Sequence, residues 1–180
     1  MKKIETSLKG ALVLEPVVFT DARGFFFESY NQSAMEAVGI RDLFVQDNHS
    51  YSTIRVIRGM HYQVGRPQGK LVRVVVGEIL DVIVDLRRNS STFGKWEAII
   101  LSGTNKRMLW IPIGFAHGFR TVSTEAHVLY KATDFYSPAD ERVLAWNDPM
   151  VGIDWQLDGD PIIAAKDQQG RILAECETFE

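Results

Sequence analysis

The chain of 180 residues carries one cysteine, Cys176. No internal disulfide can form, so a reducing, cytoplasmic setting is expected, and Cys176 reads as an inert residue of the tail. No run approaches the ~20 apolar residues of a membrane span. The opening Met1-Lys2-Lys3-Ile4-Glu5-Thr6 lacks the apolar stretch of a secretory leader. There is no basic block: 20 Lys and Arg stand against 23 Asp and Glu, for a net charge of −3. Nucleic acid and membrane are therefore not expected as partners, although a few placed arginines can still hold a small anion. Internal repeats, low-complexity segments and linkers are also missing. So is any Gly-x-Gly-x-x-Gly, and no cofactor is expected.

Helix signals are few. Asn31 to Val38 is a short one, with Asn31 or Ser33 as cap, Ser33 and Glu36 at capping-box spacing, and Gly39 as a stop. Pro138 to Glu141 reads as one helical turn. The rest reads as strand. Leu71–Val76 and Ile79–Leu86 flank Gly77-Glu78 and predict a hairpin. Further strands are expected at Trp96–Leu101, Met108–Ile111, Gly118–Val122 and Ala126–Tyr136, with a mixed segment from Trp155 packing over the outside or the mouth. With 46% apolar residues the chain suits one domain, residues 1–180. The fold class is mainly β, a barrel or jelly roll with a few short helices and a cavity at one end.

Four side chains suggest chemistry. His61, in Arg58-Gly59-Met60-His61-Tyr62-Gln63, is a competent base near neutral pH. It needs an orienting carboxylate, for which Asp167 is a candidate. Lys70 follows on a neighbouring strand and can hold an enolate oxygen. Tyr130 shares a face with Val128, Ala132, Asp134 and Tyr136, and has room to project inward. His117 ends Pro112-Ile113-Gly114-Phe115-Ala116-His117, the second half of a cupin signature. The first half has lost its second histidine to Gln63 and has no following glutamate, so no metal is expected. Arg23, Arg58, Gln46 and Asn48 can form a phosphate and sugar cradle. Phe25, Phe26 and Phe27 suit a core or a dimer interface, or one of them a flat base.

Taken together, these strings resemble the dTDP-4-dehydrorhamnose 3,5-epimerases, the nucleotide-sugar epimerase branch of the cupins. The resemblance runs from Asp21-Ala22-Arg23-Gly24-Phe25-Phe26-Phe27-Glu28 through Gln46–Ser50, Arg58–Gln63, Gln68–Val74 and Asp81–Arg87. Pro112–Phe119, Tyr130, Trp146–Pro149 and Lys166-Asp167 continue it. It implies a cupin-type barrel in which His61, paired with Asp167, is the base, Lys70 stabilises the enolate and Tyr130 is the acid on the opposite face. It implies that Arg23, Glu28, Gln46, Asn48, Arg58 and His117, with Tyr136 and Lys166, bind the dTDP-sugar. It further implies a homodimer in which Arg23 and Glu28 serve the partner's pocket. The alternatives are a relative that inverts carbon 3 only or isomerises the ketone, a non-catalytic sugar-nucleotide barrel, and a metal-dependent oxygenase that the missing ligands disfavour.

Overall fold

The computed structural model describes residues 1–180. Twelve strands and two short helices make up the chain. The strands are β1 (Lys2–Glu5), β2 (Leu12–Glu15), β3 (Phe19–Asp21), β4 (Gly24–Phe26), β5 (Gln46–Thr53), β6 (Val56–Gln63), β7 (Lys70–Asp85), β8 (Trp96–Ser102), β9 (Met108–Ile111), β10 (Phe115–Ala132), β11 (Glu141–Val143) and β12 (Ile162–Ile163). Helix α1 spans Gln32–Ala37 and α2 spans Ala165–Gln168. All strands but β3 and β4 join one sheet, in the order β1-β2-β9-β7-β10-β6-β11, with β5 on β10, β8 on β7 and β12 on β6. The mainly β architecture agrees with the sequence expectation.

Helix α1 starts where expected, Asn31 accepting from the Ala34 N–H at 3.3 Å. The Ser33–Glu36 capping box does not form: Glu36 accepts from the Gln32 side chain instead. At Pro138–Glu141 the N–H groups of Asp140 and Glu141 both donate to the Ser137 carbonyl, a single turn that leads into β11.

The expected Gly77-Glu78 hairpin is not present. The chain runs straight on as β7, and its antiparallel partner is β10, itself one strand where two were expected. Gly77 takes φ +77°, and a Cβ there would lie 1.9 Å from the Glu125 carbonyl oxygen. The glycine therefore bends two long strands across each other where their register shifts between Thr121 and Ala126. Inward parity changes at this bend. Val72 and Val74 precede it and Ile79 and Ile83 follow it, all in one core cluster with Phe115, Phe119 and Val128. Leu80, Val82, Val84 and Leu86 point the other way, into a second cluster with Met60, Tyr62, Trp155 and Cys176. Burial on both faces explains why this half of β7 reads as a nearly unbroken apolar run.

The β3–β4 hairpin stands apart from the sheet, and Phe19, Phe25 and Phe26 on it are exposed. Of the expected places for the phenylalanine run, a core or a dimer interface, the core is excluded for Phe25 and Phe26. No helix is long and apolar enough to cross a membrane.

Candidate active site

The inward faces of β5, β6, β7 and β10 converge at one end of the barrel. On β6, Ile57, Met60 and Tyr62 all enter the second core cluster, a spacing of three and then two. The extra residue is a bulge opposite His117–Phe119. It leaves Arg58 and His61 both off the core side. Only glycine fits here: a Cβ on Gly59 would lie 2.5 Å from Gly118 Cα.

The chain then brings in the carboxylate. Strand β12 pairs parallel with Val56–Ile57, and α2 follows directly. Ile163 pairs with Ile57, and four positions further along each segment stand Asp167 and His61. His61 Nε2 lies 2.7 Å from Asp167 Oδ1, and the Gly59 N–H donates to Oδ2 at 3.1 Å. A carboxylate only accepts, so Nε2 carries the proton and Nδ1, which makes no hydrogen bond, is free to take one. Burial works against the charge of Asp167. The His61 bond, the Gly59 N–H and nearby Lys166 outweigh it and hold the carboxyl below its ordinary value.

Lys70 opens β7. Its ammonium lies 3.4 Å from the His61 carbonyl oxygen and 6.0 Å from the centre of the Tyr130 ring. Burial lowers its pKa to about 8, against the pull of Asp81 and Glu141. Tyr130 sits on β10 between Val72 and Asn48. Burial raises its phenol above the ordinary value, with Arg58 acting against the rise, so it is protonated at neutral pH.

The expected cradle is largely assembled. Gln46 donates to Asn48 at 3.0 Å and accepts from the Tyr136 N–H at 2.9 Å. Asn48 Nδ2 is buried and makes no hydrogen bond within the chain. Arg58 is held by the Ser52 hydroxyl and the Tyr51 carbonyl, both at 2.9 Å. Lys166 and Tyr136 meet at Glu141. His117 is bound through Nε2 to Asp81 Oδ1 at 2.6 Å.

Arg23 and Glu28 are not brought in. Arg23, at the tip of the β3–β4 hairpin, is 90% exposed and pairs only with Asp21. Glu28 accepts from Asn31. No group of three metal-binding side chains occurs in the structure. Gln63, in the place of the second cupin histidine, donates to the Arg66 carbonyl and accepts from the Ser137 N–H, pinning the loop after β10.

Sequence reasoning missed Asp81 and Glu141 as site residues. Asp81 was visible only as one of two acids on an otherwise apolar strand, and Glu141 only as the end of a turn.

The family model for dTDP-4-dehydrorhamnose 3,5-epimerase matches residues 5–175. The chain belongs to that family. An epimerase of this name from Pseudomonas aeruginosa is 53% identical over 180 residues, covering 99% of each chain. Another from Salmonella typhimurium is 54% identical over 175 residues, covering 96% of each. The crystal structure of a Legionella pneumophila dTDP-6-deoxy-D-glucose-3,5-epimerase in complex with dTDP-4-keto-L-rhamnose superimposes with a TM-score of 0.95. It is 45% identical and covers 98% of this chain and 94% of that one. The 3,5-epimerase family thus matches the chain nearly from end to end, in sequence and in fold.

Proposed function

We propose that this epimerase inverts carbons 3 and 5 of dTDP-4-dehydro-6-deoxy-D-glucose to give dTDP-4-dehydro-L-rhamnose, with His61, Asp167, Lys70 and Tyr130 as its catalytic groups. The observation that carries the reading is the His61–Asp167 pair, whose Nδ1 makes no hydrogen bond, with the Lys70 ammonium on the neighbouring strand 3.4 Å from the His61 carbonyl oxygen. Carbons 3 and 5 flank the 4-ketone, so their protons are acidified. His61 Nδ1 takes one proton, and the C–H electrons move to the ketone oxygen as an enolate facing Lys70. Asp167 stabilises the imidazolium. The Tyr130 hydroxyl gives a proton to the opposite face of the carbon, and solvent resets both groups. The ring then turns to present the second carbon to the same base. No redox step and no cofactor enter this balance.

Gln46, Asn48, Arg58 and His117, with Tyr136 and Lys166, bind the nucleotide diphosphate and sugar. The unpartnered Asn48 Nδ2 supports this. The enzyme works as a homodimer, a single domain of residues 1–180 in the cytoplasm. In the dimer the β3–β4 hairpin reaches across, so that Arg23 and Glu28 serve the partner's pocket. The exposed Phe19, Phe25 and Phe26 support that assignment.

The test is incubation with dTDP-4-keto-6-deoxyglucose in heavy water. Deuterium at both carbons with inverted product is expected. Deuterium at carbon 3 alone indicates a 3-epimerase, and none at either carbon indicates a binding barrel. Light scattering tests the dimer: a monomer with full activity removes the shared site.

A further inference from the structure

Glu141 has no part in the reaction as described, yet its carboxylate ties two separate elements together at the mouth. Strand β11 pairs Glu141 with Gln63 and Val143 with His61, which places Glu141 beside the catalytic strand. Its two oxygens are both engaged, and by different elements. Oε1 accepts from Lys166 Nζ on α2 at 2.8 Å, and Oε2 accepts from the Tyr136 hydroxyl in the loop after β10 at 2.9 Å. Lys166 immediately precedes Asp167, so the same carboxylate steadies the helix that carries the partner of the base. The side chain is only 17% exposed.

We propose that Glu141 is a positioning residue of the epimerase reaction, clamping Tyr136 and Lys166 at the mouth. The inference rests on the function proposed above.

Two further observations support it. Burial disfavours the Glu141 carboxylate, but the hydrogen bonds from Lys166 and Tyr136 outweigh it and keep its pKa below the ordinary value, so it is ionised at neutral pH. Lys70 faces two carboxylates that favour its charged form, Asp81 from its own strand and Glu141 from β11. It also faces the His61 carbonyl oxygen and the Tyr130 ring. Asp81 is shared with His117. Glu141 is shared with Lys166 and Tyr136, so its charge is spread over the mouth. Removing it loosens two substrate-facing groups and makes the Lys70 ammonium easier to deprotonate.

The test uses the full chain, wild type and Glu141→Gln, with kcat and KM measured across pH and the melting temperature measured in parallel. Glutamine has the same shape, but it is neutral and can accept through only one of its two end atoms. KM is expected to rise on the order of tenfold, the scale of a lost charge-assisted hydrogen bond. The alkaline limb of kcat/KM moves to lower pH. Glu141→Asp keeps the charge and loses the reach, so it restores the alkaline limb but not KM. An unchanged KM and pH profile in folded Glu141→Gln overturns the inference. So does a loss of activity that follows the melting temperature with the pH profile unmoved. Deuterium incorporation by the wild type separates the two levels. A wild type that exchanges no protons overturns the proposed function and this inference together, whereas a working wild type matched by Glu141→Gln overturns only the role of Glu141.

Discussion

One barrel holds two histidine–carboxylate pairs of nearly equal length, 2.7 Å for His61–Asp167 and 2.6 Å for His117–Asp81, and they are built in opposite ways. His117 and Asp81 lie on neighbouring strands, β10 and β7, and are 9% and 0% exposed. His61 is 28% exposed, and its carboxylate arrives from a separate helix over a hundred residues away in sequence. Asp167 has both oxygens satisfied, while Asp81 Oδ2 is buried without a partner. A base needs a nitrogen open to substrate and a carboxylate with nothing left to seek, and only the first pair meets both conditions. The second pair is set deeper in the wall, where Asp81 favours the charged form of Lys70.

The comparison predicts that breaking the first pair destroys chemistry while the fold survives, and that breaking the second costs stability as well as substrate binding. His61→Ala is expected to cost about 10²–10⁴-fold or more in kcat, since one base serves two steps, with little change in melting temperature. Near-normal turnover in the folded variant would reverse the assignment. Tyr130→Phe keeps the base and loses the acid. In one heavy-water time course it should exchange protons with retention while inversion slows by about 10²-fold; inversion at the normal rate would make the tyrosine a packing residue. Asp167→Asn keeps the shape and removes the charge, and should cost about 10²–10⁴-fold in kcat without moving KM much.

His117→Ala leaves Asp81 buried and unpaired. A loss of about 3 kcal/mol is expected, or roughly 10 °C in melting temperature. If His61→Ala and His117→Ala melt alike, the contrast between the pairs is false.

The smallest effect is on pH. The Lys70 pKa of about 8 sets an alkaline limit, so kcat/KM should decline as pH passes through that value. The sign for stability is opposite. The unfolded chain holds this proton more tightly than the folded one, so the contribution of Lys70 to stability improves as pH rises from about 8 to its ordinary 10.5. A kcat/KM that stays flat to pH 10 would remove Lys70 as the enolate's cation.

Much of this was legible in the sequence. Met108–Ile111 and Trp96–Leu101 are strands as read, because alternation and flanking turns mark their ends. The Gly77 hairpin was misread because a glycine at positive φ serves a reversal and a bend equally well, and the deciding partner, β10, lies far along the chain. The Asp81–His117 contact was not legible for the same reason, its members being 36 residues apart. Asp167 entered as a candidate carboxylate and through family resemblance. A four-residue helix without a side-chain cap leaves little local signal.

The tail that delivers Asp167 has one more consequence. Every strand from β1 to β11 precedes β12 and α2 in the chain, so the base takes its carboxylate from the last part of the sequence. The same tail inserts Cys176 and packs Phe179 into the cluster that holds Met60 and Tyr62. The same segment therefore arms the base and completes the second core, and a chain cut short before Asp167 lacks both. A truncation ending at Ala164 should bind substrate weakly, melt early and exchange no protons; if it turned over, the tail would be a cover and nothing more.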